Sequence, residues 1–242
     1  MRTREQETEF IIEMLKVQLE FAKDIVINLK IPFSEAINNF TIIQEFTDFN
    51  TGDLFGVVDA ANVEWLDIIS GFSIYTDTNQ LVSVLLPFTY KRVAINIEYF
   101  NKMYNNEWSK NHSCIFQIEK GDEVEIHLHN NFYPESFLEY SLERDIKVML
   151  ENLKPNIKTI TCTSWLNDLG RFYKMFPSSW KASETWYDYI KKPGLGIFGQ
   201  FINKNYEINS NVVDYYIRNR KLKYLMKNCT CSVKDLKYMY KD

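Results

Sequence analysis

The segment between residues 112 and 165 restricts the fold more than any other part of the chain, because a strand, a helix and a second strand follow one another there. Val124–His129 alternates apolar and polar residues, as a strand with one buried face does. Pro134–Leu153 carries the apolar stripe of a helix, and Ile157–Trp165 is rich in β-branched residues. Two strands joined by one such helix lie parallel, in a right-handed crossover.

The first half of the chain has a different pattern. Apolar residues recur every three to four positions over residues 5–29, and helical patterns continue at 59–70 and 78–104. The sequence therefore predicts an α+β protein. A helical N-terminal domain, residues 1–108, precedes a mixed-sheet α/β domain with a helical C-terminus, residues 109–242.

Composition excludes several classes of protein. The chain has 242 residues, of which 45% are hydrophobic and 25% charged, an ordinary globular composition. Lys and Arg number 28 against 32 Asp and Glu, so the basic excess of a nucleic-acid-binding protein is missing. The sequence shows neither a secretory signal pattern nor an apolar stretch of the ~18 residues that span a bilayer. We expect a soluble, cytoplasmic protein with reduced thiols and with neither nucleic-acid nor membrane partners.

The hairpin before the crossover decides which side chains share a face. A three-residue loop with Gly121 in the left-handed conformation would oppose Cys114 to Ile126 and place all the apolar residues on one face. A two-residue loop would oppose Cys114 to His127 and would bury Glu125 without a partner, at a large desolvation cost. The sequence therefore favours the first register, in which Cys114 is buried and faces away from His127.

The candidate site residues lie at the carboxyl ends of the two parallel strands, where ligands bind in α/β sheets. We expect His129, rather than His127, to be a general base because it is nearer the end of its strand. Ser164 or Cys162 could donate a hydrogen bond to a carbonyl group. Ordinary strand packing and ordinary surface histidines are the alternative interpretation. The complete candidate set is Glu125, His127 and His129 on the first strand, and Cys162, Ser164 and Trp165 on the second.

Metal and dinucleotide sites are not predicted. The four cysteines form no CxxC pair, and three successive outward positions of one strand, 125 to 129, rarely converge on one ion. Gly194-Leu195-Gly196 follows a proline in a helical region and lacks the third glycine of a dinucleotide fingerprint. The basic residues at 191–192 and 218–223 are typical of a solvated helix face, with contact to a phosphopantetheine or CoA phosphate as the alternative.

Three features of the second half occur together. A strand carries histidines near its end, a proline-opened helix has Ser141-Leu142 at its centre, and a strand ends in Cys-Thr-Ser-Trp-Leu at residues 162–166. Over roughly residues 112–200 this pattern resembles the C-terminal domain of a GNAT-like N-acyltransferase family, in which a helical domain precedes a reduced acetyltransferase-type α/β domain. The family has a histidine where this chain has Thr163. The Gly-rich pyrophosphate loop of ordinary GNAT enzymes is also missing from the sequence.

The resemblance implies acyl transfer from a thioester to an amine. His129 or His127 would be the base, and Ser164 or a strand N–H would polarise the carbonyl. Glu125, Cys162 and Trp165 would line the substrate site. No bound cofactor is expected. The co-substrate would be acyl-CoA or an acyl-carrier protein, and the missing pyrophosphate loop favours the carrier protein.

Two other classes of function stay open at this point. The first is a non-catalytic binding or assembly protein on a degenerate acyltransferase scaffold, which Thr163 and the missing pyrophosphate loop favour. The second is a thiol acyltransferase or hydrolase that uses Cys114 or Cys162 as the nucleophile and His127 as the base.

Overall fold

A computed structural model shows a mixed α+β architecture, with helices in the N-terminal half and a five-stranded mixed sheet in the C-terminal half. This confirms the predicted fold class. The structure describes residues 2–49, 62–105, 115–128, 141–187 and 195–241.

The chain forms two compact units. The first contains Met1–Lys102, Pro193–Phe201 and Glu207–Lys221. The second contains Met103–Lys192, Ile202–Tyr206 and Leu222–Asp242.

The first unit is helical. α1 (Arg4–Leu29) begins at a capping box formed by Thr3 and Gln6 and ends at Lys30, whose backbone is left-handed with φ 56°. One side of α1 is buried along its length, including Ile11, Met14, Leu15 and Leu19. The further helices are α2 (Phe33–Phe40), α3 (Val63–Ser70), α4 (Thr78–Leu85) and α5 (Tyr90–Asn105), with short 3-10 helices at Ile43–Phe46 and Leu86–Thr89.

A late segment of the chain packs within this first unit. The helix Ser210–Asn219 buries Tyr216, whose ring lies 6.2 Å from that of Phe21 and whose hydroxyl bonds to Asp24. Arg220 follows the helix and places Nη1 2.7 Å from Oε2 of Glu20. A division of the sequence at residue 108 does not anticipate this arrangement, because local periodicity carries no information about partners about 190 residues away in the chain.

The second unit contains the sheet. Its strands are β1 (Ile115–Lys120), β2 (Glu123–Leu128), β3 (Thr159–Ser164), β4 (Thr185–Trp186) and β5 (Lys227–Ser232), in the spatial order β1-β2-β3-β5-β4. β2 and β3 are parallel and every other pair is antiparallel. The helix α6 (Leu142–Asn152) lies between β2 and β3 in the chain, which confirms the predicted crossover. The helices that follow β3 are α7 (Gly170–Tyr173), α8 (Ser178–Ala182), α9 (Ser210–Asn219, in the first unit) and α10 (Val233–Met239).

The register of the β1–β2 hairpin differs from the prediction. The turn has two residues, Gly121-Asp122, and Ile118 pairs with Glu125. Gly121 does have the predicted positive φ, at 70°. The argument from the desolvation of Glu125 fails because its carboxylate forms an ion pair with the Lys120 ammonium and stays partly exposed. The predicted pairing of Cys114 falls outside the described residues.

The three central strands, β2, β3 and β5, have one apolar and one polar face. Strand alternation directs Val124, Ile126, Ile160 and Cys162 into a core that also contains residues of α6, α7, α8 and α10. The opposite face is polar throughout the described parts of the three central strands. This polar face consists of Glu123, Glu125 and His127 of β2, Thr159, Thr161 and Thr163 of β3, and Asn228, Thr230 and Ser232 of β5.

No helix in the described part of the chain combines the length and the apolar character needed to cross a bilayer.

Candidate functional site

The two parallel strands pair over only half of their length. Glu123–Glu125 of β2 is in register with Thr159–Thr161 of β3. The next residues, 126–128 and 162–164, belong to the same strands but are not paired with each other. The outer edges remain occupied, because β1 pairs with β2 as far as Leu128 and β5 pairs with β3 as far as Ser164. We call residues 126–128 and 162–164 the β2–β3 opening.

The β2–β3 opening exposes backbone hydrogen-bonding groups to a ligand. Where adjacent strands stop pairing, the facing backbone N–H and C=O groups lose their sheet partners. Such groups bind an extended ligand that carries amide groups of its own, as an exposed sheet edge does. The opening also lies at the carboxyl ends of two parallel strands, the usual ligand-binding position in open α/β sheets.

A chain of side-chain hydrogen bonds on the polar face leads to the opening. The Thr161 hydroxyl lies 3.2 Å from Oδ1 of Asn228 and 3.2 Å from the carbonyl oxygen of Cys229, two acceptors that share its one hydrogen. Nδ2 of Asn228 in turn donates to Oγ1 of Thr163 over 3.1 Å. Thr163 and Asn228 are direct cross-strand partners. The chain therefore ends at the Thr163 hydroxyl, beside the opening.

The predicted site residues fall on both faces of the sheet. Glu125 and the exposed His127 belong to the polar face. Ser164 follows the alternation of Cys162 and belongs to the opposite face. The structure therefore does not bring His127 and Ser164 together. His129 lies outside the described residues.

Ser164 has a local structural role. Its Oγ accepts a hydrogen bond from the backbone N–H of Leu166 over 3.1 Å and caps the 3-10 helix Trp165–Asp168. Trp165, at the start of that helix, is half-buried. Its ring lies 5.7 Å from the Tyr224 ring, with 30° between the two planes, and it packs against the hydrophobic core of the sheet unit.

The described cysteines are unsuited to nucleophilic catalysis. Cys162 is 1% exposed in the core, on the face opposite to His127. Burial raises the pKa of the Cys162 thiol well above its usual range. Burial also raises the pKa of Cys229 to about 11 and that of Cys231 to about 12. All three thiols are protonated at neutral pH, and Cys114 lies outside the described residues.

The sequence did not predict a charged cluster at the same end of the sheet. Nζ of Lys227 lies 2.7 Å from Oδ1 of Asp168 and 2.9 Å from Oε1 of Glu184. The Tyr173 hydroxyl donates to Oε2 of Glu184, and Oδ2 of Asp168 accepts from the backbone N–H of Leu225. One signal was available in the sequence. Lys227, Cys229 and Cys231 alternate with polar residues, which is the pattern of a strand with Lys227 on its inner face.

Contacts within this cluster shift the pKa values of Lys227, Glu184 and Tyr173. Burial alone would lower the pKa of Lys227, but hydrogen bonds to Asp168 and Glu184 outweigh burial and raise it. The bonds from Tyr173 and Lys227 lower the pKa of Glu184. Burial and the bond to Glu184 raise the pKa of Tyr173. At neutral pH, Lys227 is therefore a fixed cation between two carboxylates and Tyr173 is un-ionised, so the cluster joins β5 to the segments that follow β3.

The two arginines of the basic run near the C-terminus have acidic partners. Arg220 forms ion pairs with Glu20 and Asp24, and Arg218 lies 3.9 Å from Asp214. Residues 191–192 lie outside the described ranges. Gly196 belongs to a 3-10 helix, Leu195–Phe201, rather than to a turn after a strand.

Among the residues that the structure describes, no three His, Cys, Asp or Glu side chains are placed to hold a metal ion together.

Comparisons with known proteins add no relative to this picture. No protein-family model matches the chain, and the searches of curated proteins and of solved structures found no match.

Proposed function

We propose that the second unit binds an acyl thioester in the β2–β3 opening and transfers its acyl group to an amine. The observation that carries this proposal is the loss of pairing between two adjacent parallel strands at their carboxyl ends. The resemblance of residues 112–200 to GNAT-like N-acyltransferases supports the same chemistry.

The opening suits the pantetheine arm of a thioester. Pantetheine is an extended chain with two amide groups and a terminal sulfur, so it can hydrogen-bond to strand edges on either side. Pantetheine carries the acyl group both in acyl-CoA and on an acyl-carrier protein. We favour the carrier protein as donor, because the sequence lacks the Gly-rich loop that would bind the CoA pyrophosphate.

The reaction forms a C–N bond and breaks a C–S bond. The amine nitrogen, after loss of its ammonium proton to a base, attacks the thioester carbonyl carbon. The tetrahedral intermediate then expels the thiolate, which is protonated to the thiol. His129 or His127 would accept the amine proton, directly or through a water, because a neutral imidazole is the side chain best suited to this step near pH 7.

A second candidate is a non-catalytic binding protein on the same scaffold. It is favoured by the position of Ser164, on the face opposite to His127, and by Thr163 in place of the family histidine. This candidate predicts ligand binding without acyl transfer. One pair of measurements, binding and turnover, separates the two functions.

The proposal is tested with S-acetyl-pantetheine, acetyl-CoA and an acetylated carrier protein as donors and a panel of primary amines as acceptors. Binding at a concentration near 100 Kd should stabilise the fold by about 2.7 kcal/mol, which raises Tm by about 5 °C or more. Intact-mass and product analysis would report acyl transfer to an amine.

A pair of variants localises the binding. Thr163→Phe places a bulky ring beside the opening, whereas Thr159→Phe places the same ring on the same face at the paired end of β3. We expect Thr163→Phe to abolish the stabilisation by acyl-pantetheine and Thr159→Phe to retain it. Equal stabilisation of both folded variants, or no stabilisation of the wild type by any of the donors, contradicts the proposed site.

A further inference from the structure

We infer that Thr163 donates the hydrogen bond to the thioester carbonyl oxygen, a role that the sequence suggested for Ser164; the inference rests on the proposed function. Thr163 stands where the family that the chain resembles has a histidine. The hydrogen bonds and the register on the polar face of the sheet support the inference.

The hydrogen-bond direction leaves Thr163 with a hydrogen to donate. A threonine hydroxyl has one hydrogen and two acceptor lone pairs. Asn228 donates through Nδ2 to Oγ1 of Thr163, and its Oδ1 accepts from the Thr161 hydroxyl. Among the described residues, no hydrogen bond donated by the Thr163 hydroxyl is found. Asn228 therefore holds the hydroxyl in place without using its hydrogen.

The position of Thr163 places this donor at the site of reaction. Glu125 and Thr161 are in register across the paired part of β2 and β3, so His127 and Thr163, each two residues further along, are on the same face. Sheet pairing of β2 with β3 is limited to 123–125 with 159–161, so His127 and Thr163 lie beyond the last paired residues. A carbonyl group bound on this face at the strand ends would lie beside both the predicted base His127 and the Thr163 hydroxyl.

Ser164 lacks these properties. It belongs to the opposite face of β3, and its Oγ is held by the backbone N–H of Leu166 in the following 3-10 helix. Of the two neighbouring hydroxyls, Thr163 is the one on the face of the predicted base.

The chemistry requires only a donor at this position. When the amine attacks, the carbonyl oxygen gains the electron pair of the C=O π bond and becomes an oxyanion. The Thr163 hydroxyl donates to this oxygen throughout and transfers no proton. The electron pair returns when the C–S bond breaks. Removal of one such donor reduces kcat by about 100- to 1,000-fold in enzymes that stabilise an oxyanion.

The first experiment compares Thr163→Val, which keeps the shape and removes the hydroxyl, with Thr163→Ser, which restores it. We expect kcat of Thr163→Val to fall about 100-fold with a small change in KM, and Thr163→Ser to recover most of the loss. Thr159→Val, on the same face at the paired end of β3, is the matched control and should retain wild-type turnover. A folded Thr163→Val variant within about threefold of wild-type kcat would overturn the inference.

A second variant tests the role of hydrogen-bond direction. Asn228→Asp keeps the size of the side chain and leaves Thr163 in place, but a carboxylate accepts and cannot donate. Thr163 would then donate to this carboxylate instead of to the ligand. We expect turnover to fall as in Thr163→Val, and unchanged turnover in the folded variant would contradict the inference.

A binding measurement separates this inference from the proposed function. S-acetyl-pantetheine has a thioester carbonyl, and S-ethyl-pantetheine, a thioether, lacks it. Thr163→Val should weaken binding of the thioester by about tenfold, the factor equivalent to one net hydrogen bond, and leave binding of the thioether unchanged. Equal weakening of both ligands means a structural role for Thr163 and overturns the inference alone. If the wild type neither binds nor turns over any acyl thioester, the proposed function fails and the inference fails with it.

Discussion

The two units place their polar side chains differently. In the helical unit, Glu7 is 1% exposed and Asn96 is 6% exposed, and Nδ2 of Asn96 donates to Oε1 of Glu7 over 2.9 Å. In the sheet unit, the polar groups form one face of the sheet and reach the strand ends beside the β2–β3 opening. A polar network between helices specifies their packing at a cost in desolvation. A polar face at an unpaired strand end can bind a ligand, and for this reason we place the site in the second unit.

The largest expected effect tests the core of the sheet unit. Trp180 is fully buried, stacks on Phe176 with 4.0 Å between ring centroids, and donates from Nε1 to Oδ1 of Asn167. Trp180→Ala should lower the free energy of unfolding by about 3–5 kcal/mol, because it creates a cavity and leaves the Asn167 amide oxygen without this bond. Chemical denaturation measures the loss. Trp186→Ala, at a tryptophan that is 70% exposed, should change stability by less than about 0.5 kcal/mol.

The charged cluster of the sheet unit gives the next largest effect. Lys227→Met leaves Asp168 and Glu184 without their ammonium partner and should cost about 2–3 kcal/mol at pH 7, less than a fully buried pair because both carboxylates are partly exposed. The folded-state pKa of Glu184 is lowered, so its contribution is present above its unfolded pKa and is lost as pH falls through the folded pKa. The difference between wild type and Lys227→Met should therefore shrink toward pH 3. A constant difference from pH 7 to pH 3 would contradict an ionic role, and the exposed Lys174→Met is the control.

In the helical unit, Glu45 should make the protein less stable as pH rises, the opposite of the effect of Glu184. Burial raises the pKa of Glu45 to about 7, against the opposing effect of Arg92. The folded state therefore retains a proton that the unfolded chain releases near its ordinary pKa. The contribution is full below that pKa and is lost as pH rises through about 7. The shift corresponds to about 3 kcal/mol at most, and partial exposure reduces the expected loss to about 1–2 kcal/mol.

Glu45→Gln, measured by denaturation between pH 4.5 and pH 8, tests this expectation. The variant should show a smaller decline in stability over this range than the wild type, and some decline should remain because it keeps Glu7, whose pKa burial also raises. Glu35→Gln, at an exposed position of α2, should keep the full decline. Parallel pH profiles of the wild type and Glu45→Gln would contradict the assignment.

Within the sheet unit, some features follow from the sequence and others do not, for a physical reason. The crossover of β2, α6 and β3 follows from local alternation and periodicity, and the structure confirms it. The hairpin register does not follow, because the ion pair between Lys120 and Glu125 removes the desolvation cost on which the choice of register depended. Patterns within a strand predict faces, whereas registers and ion pairs depend on partners elsewhere in the chain.

At the candidate site, too, local sequence patterns are readable whereas contacts between distant segments are not. Its location at the strand ends, with Trp165 as an aromatic residue there, was suggested by residue type and position alone and stays a prediction. The cluster of Lys227, Asp168 and Glu184 was not, because its members lie in three different segments that only the folded sheet brings together. The chain of bonds that ends at Thr163 was missed for the same reason, since Asn228 comes from β5.

The smallest expected effect distinguishes the two faces of β3 at neighbouring residues. Ser164→Ala removes the acceptor for the N–H of Leu166 at the start of a short 3-10 helix, so it should cost about 1 kcal/mol, the usual contribution of a capping side chain. If the proposed function holds, acyl transfer should remain within about threefold of wild type, because this hydroxyl lies on the face opposite to His127 and removal of a catalytic donor would cost far more. Thermal denaturation and turnover of the same preparation check both expectations. A 100-fold loss of turnover in a folded Ser164→Ala variant would show that the reaction takes place on the other face of β3.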